Sequence, residues 1–223
     1  ELMSVGAYYL REHMIDKARI HYAFSDAGGV SPNVVQSFAK VKYEVRAPKV
    51  DQMKELFARV VNVARGAALM TETETDYAIT MAFSDYVPNQ ILARVASVCF
   101  EEIGPTEWDE KDQELAASFL AHYNKSTLSS IRQDMVREFG KNSDSSMWKS
   151  PLDTKVRPFD PRKNDYDSGS TDVGDVGYAV PTLSINVATA CFGTVWHSWQ
   201  TTAQMNSSLG EKGTLTAAKV LAL

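Results

Sequence analysis

The chain is short of several things, and each shortage narrows what it does. Two cysteines in 223 residues cannot build a disulfide framework. Both Cys99 and Cys191 sit in apolar surroundings, so a reduced, cytoplasmic compartment is expected. Basic residues are outnumbered, 23 Lys and Arg against 28 Asp and Glu, for a net charge of −5. That balance argues against a nucleic-acid partner, because neutralising phosphates needs clustered positive charge. No run approaches eighteen apolar residues, so no membrane-spanning helix is expected. No signal peptide is visible. Residue 1 is a Glu inside an amphipathic pattern, which points to a natural start upstream. What is present is a 44% hydrophobic content over a length that suits one large domain or two small ones.

Hydrophobic spacing organises the chain. Residues 1–15 have helical periodicity through Leu2, Val5, Tyr9 and Leu10. Residues 18–26 alternate, with Ile20, Tyr22 and Phe24 on one face. A Gly28–Asn33 turn follows, then a second alternating run in which Ala39, Val41, Tyr43 and Val45 share a face. Pro48 and Asp51 open a helix to about Arg65, and Thr71–Phe83 reads as a third strand. Helix, strand, strand, helix, strand is a ferredoxin-like β-α-β-β-α-β unit lacking its first strand. Pro88 and Asn89 mark a boundary. Helices are expected over 89–103 and 109–139, the latter broken near Asn124, with acids of Glu107–Asp112 at the helix start. Residues 140–170 read as a long loop, 181–190 as a buried strand, and 208–223 as a helix without a C-terminal cap.

Two stretches suggest chemistry. The small-residue segment Gly169–Gly177 (GSTDVGDVG) carries two acids and can bring backbone N–H groups and carboxylates close to a ligand. His197 stands twenty residues beyond, in Val-Trp-His-Ser-Trp, and a neutral imidazole there can ligate a metal. One His and two Asp cannot close a hydrolytic metal site, so the constellation is incomplete. By itself a His between two Trp residues reads as a packed core residue. Asn33 and Arg46, by themselves, read as a turn residue and a solvated edge charge, and Asp172 and Asp175 as loop caps. His21 reads as a surface or interface residue. His13 and His122 fall in helical pattern and read as solvated.

An ordered set of motifs changes that weighing. Ser4–His13 (SVGAYYLREH), Ala18–Tyr22 (ARIHY), Gly28–Val35 (GGVSPNVV), Val45–Pro48 (VRAP), Gly66–Thr73 (GAALMTET), Ser170–Val176 (STDVGDV) and His197–Gln200 (HSWQ) span nearly the whole chain. Together they resemble the C-terminal part of the metal-dependent aminoacylase/carboxypeptidase-type amidohydrolases, a peptidase-like superfamily, and within it the aminobenzoyl-glutamate hydrolase branch. The resemblance implies a two-domain parent. Residues 1–86 would be most of a ferredoxin-like lid that mediates dimerisation, and residues 87–223 the C-terminal part of an α/β catalytic domain holding two metal ions, zinc or manganese. The parent reaction would hydrolyse the amide between an acyl or aroyl group and an amino acid. Aminobenzoyl-glutamate leads as substrate, and an N-acyl or indole-acetyl amino acid follows.

By the same resemblance, His197 falls at the C-terminal metal-ligand position, with Asp172 and Asp175 as carboxylates that orient its ring. Asn33 and Arg46 would grip the substrate carboxylate, for which the planar guanidinium is suited. Ser170 and Thr171 would line the substrate site. Gln36 and Ser37 depart from the common Pro-Asp of that loop. The general base, most ligands, the first lid strand and the lid His would lie upstream of Glu1, so no catalytic residue is expected in this chain and the chain alone is expected to be inactive. Its partner would be a second copy or a related subunit, joined through the lid. A different class stays open: a non-catalytic dimerisation or structural module whose open sheet edge recruits a strand. A third reading is a small-ligand sensor domain.

Overall fold

The computed structural model describes residues 1–139, 150–157, 159–161 and 169–223. The chain divides into two compact units, meeting in sequence at Val87 and Pro88. Residues 169–181, which the sequence pattern groups with the C-terminal part, pack with the first unit.

The first unit begins with α1 (Leu2–Arg11), β1 (Arg19–Asp26), β2 (Lys40–Arg46) and α2 (Val50–Met70). β1 and β2 form an antiparallel pair whose register sets Ile20 opposite Val45, Tyr22 opposite Tyr43 and Phe24 opposite Val41. These pairs lie on one face because side chains alternate along a strand. The helices cover that face: Ala7 of α1 and Leu56 and Val60 of α2 cluster with Ala18 and Ile20, with Tyr43 and Val45 packed against them. α1 approaches α2 closely at Gly6, where a Cβ would lie 2.5 Å from Val63 Cγ1. Ser4 Oγ and the Tyr43 hydroxyl meet at 3.0 Å beneath α1.

α2 runs past Arg65 to Met70, because Gly66 costs a helix about 1 kcal/mol relative to Ala but does not stop it. The stop is at Glu72, which takes φ +53. Thr73 N–H then bonds Ala68 O at 3.0 Å, closing the turn with a non-glycine residue in the left-handed position. The strand expected over Thr71–Phe83 does not form: residues 73–89 carry no regular secondary structure. Tyr77, Ile79 and Met81 keep the strand-like alternation but are 57%, 64% and 71% exposed. Alternation confers strand propensity only against a neighbouring edge, and the pair β1–β2 is the sheet among the described residues.

The second unit is helical. α3 (Gln90–Ile103) is capped by Asn89, whose side chain accepts from Ile91 and Leu92 N–H. It ends at Gly104 with φ +81. α4 (Glu110–Leu120) and α5 (Lys125–Phe139) flank the expected break at Asn124. Short helices α6 (Val173–Ala179, in the first unit) and α7 (Trp199–Met205) precede α8 (Ser208–Ala222). The core gathers Ala116, Leu152, Cys191 and Leu209, with Trp108 and Phe119 against it. The apolar run 181–190 is not a strand. It crosses α8 at Gly213, where a Cβ would sit 2.3 Å from Ala188 O. No helix among the described residues is long and apolar enough to cross a membrane.

Candidate functional site

His197 lies on a turn that opens at Cys191 and ends where Ser198 caps α7. Its φ is +61, one of two positive values at non-glycine residues among the described residues, the other being Glu72. The residue is exposed, between Trp196 at 70% and Trp199 at 61% exposure. It is therefore not the packed core histidine that its flanking tryptophans suggest. No hydrogen bond among the described residues occupies its ring.

The turn beneath it is tied down. Cys191 N–H donates to Gln204 Oε1 at 2.8 Å, and Gln204 Nε2 donates to Thr194 Oγ1 at 2.9 Å. Thr194 Oγ1 donates to Cys191 O at 2.8 Å. On the far side, Ser198 Oγ and Thr201 Oγ1 both donate to Val195 O, at 2.5 and 2.7 Å. Burial pushes the Cys191 thiol up, the Thr194 and Gln204 bonds pulling the other way, so it stays protonated at neutral pH.

The acidic segment in the first unit is a helix, not the loop its glycines suggest. Val173–Ala179 forms α6 because Gly174 packs its bare Cα against Ser84, where a Cβ would stand 2.0 Å from the carbonyl oxygen. Asp175 Oδ1 accepts from Ser84 N–H at 3.1 Å, so its carboxylate is used in tying this helix down. Asp172 occupies the N-cap position without a side-chain cap bond and is exposed. Thr171 Oγ1 accepts from Val173 N–H at 3.3 Å, and Ser170 is exposed.

No hydrogen bond joins Arg46 and Asn33 among the described residues. Asn33 is exposed in the connection between β1 and β2, and its side chain makes no hydrogen bond among the described residues. Arg46 pairs with Arg19 at the other end of the hairpin. Six strand steps separate Lys40 from Arg46, on the order of 20 Å. Arg46 Nε donates to Glu44 Oε1 at 2.5 Å on the polar face of β2, opposite the core. His21 faces Glu44 across the pair and is exposed. His13 is exposed just beyond α1, and His122, just beyond α4, has its Nδ1 2.7 Å from Ser118 O.

One carboxylate centre escapes the sequence pattern, and a second is legible there only in part. Asp85, in the irregular segment after α2, accepts from Val50 N–H at 2.9 Å, from Lys49 Nζ at 2.8 Å and from the Tyr178 hydroxyl at 3.0 Å. Burial opposes its ionisation, but these donors outweigh it and hold the carboxyl below the usual range. The signal was available in principle: α2 opens at Lys49 without a side-chain cap of its own, and its orphan N–H groups need an acceptor. In the second unit, Asp109 and Asp112 form the capping box of α4. Asp112 is buried and also takes Ser208 Oγ at 2.5 Å and the Lys212 ammonium. Burial again opposes its charge, and the Lys212 bond leads the groups that hold its carboxyl low. Acids at a helix start were legible; the lysine 100 residues downstream was not.

Among the described residues, no three of His, Cys, Asp or Glu come together as a metal site. His197 fits the role of one ligand: an exposed imidazole on a held turn, with its ring nitrogens uncommitted. It does not hold an ion by itself.

No protein-family profile matches the chain. It is 34% identical over 99% of its length to the B subunit of p-aminobenzoyl-glutamate hydrolase from Escherichia coli (strain K12), covering 46% of that protein. It is 24% identical over 96% of its length to Xaa-Arg dipeptidase of Mus musculus, covering 38% of that protein. The chain thus spans under half the length of the curated relatives it matches. One relative is named a hydrolase and the other a dipeptidase, and the resemblance to the peptidase-like amidohydrolases carried by the seven motifs is borne out.

Proposed function

We propose that this chain, a relative of the peptidase-like amidohydrolases, supplies part of an enzyme that cleaves the amide between an acyl or aroyl group and an amino acid, with p-aminobenzoyl-glutamate as the leading substrate. The observation that carries the reading is His197: an uncommitted, exposed imidazole on a left-handed turn, in a chain alignable end to end with part of a p-aminobenzoyl-glutamate hydrolase. A divalent cation, zinc or manganese with two ions in the complete enzyme, is the group such chemistry calls for; when bound it activates water and polarises the scissile carbonyl. His197 provides one nitrogen ligand. Of the two acids proposed to orient its ring, Asp172 takes no cap bond, whereas Asp175 is already engaged by Ser84. The remaining ligands and the general base come from polypeptide outside residues 1–223, and the chain alone is inactive.

Arg46 grips the substrate carboxylate through two parallel N–H bonds. Asn33 adds a hydrogen bond from the exposed end of the hairpin, and Ser170 and Thr171 line the substrate beside α6. Residues 1–86 act as a ferredoxin-like lid and dimerisation domain, and residues 87–223 as the C-terminal part of the catalytic domain. Two buried, free cysteines suit a cytoplasmic enzyme. The partner is a second copy or a related subunit.

The second reading is a non-catalytic dimerisation module, favoured by the unshared edges of the two-stranded sheet. Replacement of His197 by Ala in the intact protein separates the two. The enzyme reading expects metal content and hydrolysis to fall together. Full metal occupancy in His197→Ala would remove His197 from the site and leave the module reading standing.

A further inference from the structure

Gln204 has 0% exposure, and its amide sits beside an apolar core that includes Cys191 and Leu209. A buried amide is costly unless satisfied, and a methionine of similar shape would fill the space without that demand. This amide instead spends two of its three bonds on the turn that carries His197, the third going to Gln200 O within α7. Oε1 takes Cys191 N–H, and Nε2 reaches Thr194 Oγ1 and Gln200 O, at 2.9 and 3.2 Å.

Thr194 completes the arrangement. Its single hydroxyl proton goes to Cys191 O at 2.8 Å, leaving its oxygen to accept from Gln204 Nε2 and, at 3.2 Å, from the Cys191 thiol. The backbone adds Thr194 N–H to Cys191 O at 3.2 Å. Gly193, with φ +72, backs onto Ile131, whose Cδ1 would stand 2.4 Å from a Cβ there. The entry of the turn is thereby fixed to α7 by Gln204. Its exit is fixed to the first turn of α7 by Ser198 and Thr201 on Val195 O. Between the two anchors, Trp196 and His197 are left facing outward.

We infer that Gln204 and Thr194 are positioning residues that hold the entry of this turn so that the His197 imidazole is presented in one orientation. The inference rests on the reading of His197 as a ligand. A ligand must be kept within about 0.5 Å of its productive place, and supporting groups do that work. A side chain such as Gln204, which touches no substrate, then shows itself in metal affinity and not in packing alone.

The test compares Gln204→Met, Thr194→Val and Thr194→Ser with wild type and His197→Ala, using the intact protein. Co(II) affinity per folded molecule is read by chelator competition and by the absorption of bound cobalt. Gln204→Met and Thr194→Val should bind Co(II) about tenfold more weakly, as losses of supporting partners do. Thr194→Ser keeps the hydroxyl and should stay within about twofold of wild type by the same measure. Wild-type affinity in a folded Gln204→Met, with affinity lost in His197→Ala, would overturn the positioning role and leave the ligand role intact. Full affinity in His197→Ala would bring down the ligand reading itself. If Gln204→Met does not fold, the Thr194 pair decides, and equal affinity for Val and Ser overturns the inference.

Discussion

Two connections that carry candidate site residues are built in opposite ways. The turn from Cys191 to Ser198 is anchored at both ends to α7 by buried or half-buried side chains, and the residue it presents sits at a sparsely populated backbone angle. The connection from Ala27 to Ala39, which carries Asn33, is held at its root by Gly28 N–H on Asp26 Oδ1 at 2.8 Å and internally by Val34 N–H on Ser31 O at 3.3 Å. Val30 and Val35 on it are 100% and 97% exposed. A metal ligand must be in place before the substrate arrives, so rigidity serves it. A substrate-gripping loop has to admit the substrate and close behind it, so looseness serves that task.

The largest effect expected belongs to the gripping side. Arg46→Ala should cost the intact enzyme on the order of 2–5 kcal/mol in kcat/KM, tens-fold to thousands-fold. Lys at that position should restore little, because it lacks the planar fork. Wild type should discriminate strongly against a substrate whose carboxylate is an amide, and Arg46→Ala far less. Equal discrimination by the two enzymes would mean that another group reads the carboxylate.

The rigid side breaks through stability. Gln204→Ala leaves Cys191 N–H unsatisfied and opens a cavity, so unfolding in urea should show a loss of about 3 kcal/mol. A loss under about 0.5 kcal/mol, the level of an ordinary surface change, would mean that the turn is no better held than the hairpin connection.

The Asp85 centre sharpens the contrast within the first unit, since it fastens α6, and with it Asp172, while the tip of the hairpin connection is exposed. The Asp85 carboxyl has a folded pKa below its unfolded value. Its contribution is therefore fully present above the unfolded value of about 4 and is lost as pH falls through the folded value. Stability of wild type relative to Asp85→Asn should be constant at neutral pH and shrink toward zero in the acid limb. A difference that is the same at pH 7 and pH 3 would show that the charge is not what holds the helix.

The smallest effect is expected at the loop tip. Val35→Ser should change unfolding free energy by less than about 0.5 kcal/mol. A larger loss would show that the tip is packed in solution.

Periodicity made α1, β1, β2, α3, the α4–α5 break at Asn124 and α8 readable, because each buries one face at a fixed spacing or carries its own cap. What was unreadable depended on distant chain. Gly174 looks like conformational freedom and is a close approach to Ser84. Glu72 stops α2 at a backbone angle that few sequence rules assign to Glu. Thr71–Phe83 has the alternation of a strand, but nothing within a sequence window states whether an edge awaits it. The same holds for the site. His197 was found through its motif, whereas Gln204, a polar residue on a short helix, reads as surface until its burial is seen.

That unformed strand has a cost during synthesis and storage. Tyr77, Ile79 and Met81 stand in the open with no proline and one charge, Asp76, between Asp76 and Phe83, while no third strand pairs with β1 or β2 among the described residues. Exposed alternating apolar residues and open strand edges are what nucleates self-association. Handled at high concentration, this polypeptide should be limited by colloidal behaviour before it is limited by unfolding, and a lysine at Ile79 would be the first change to make in preparing it.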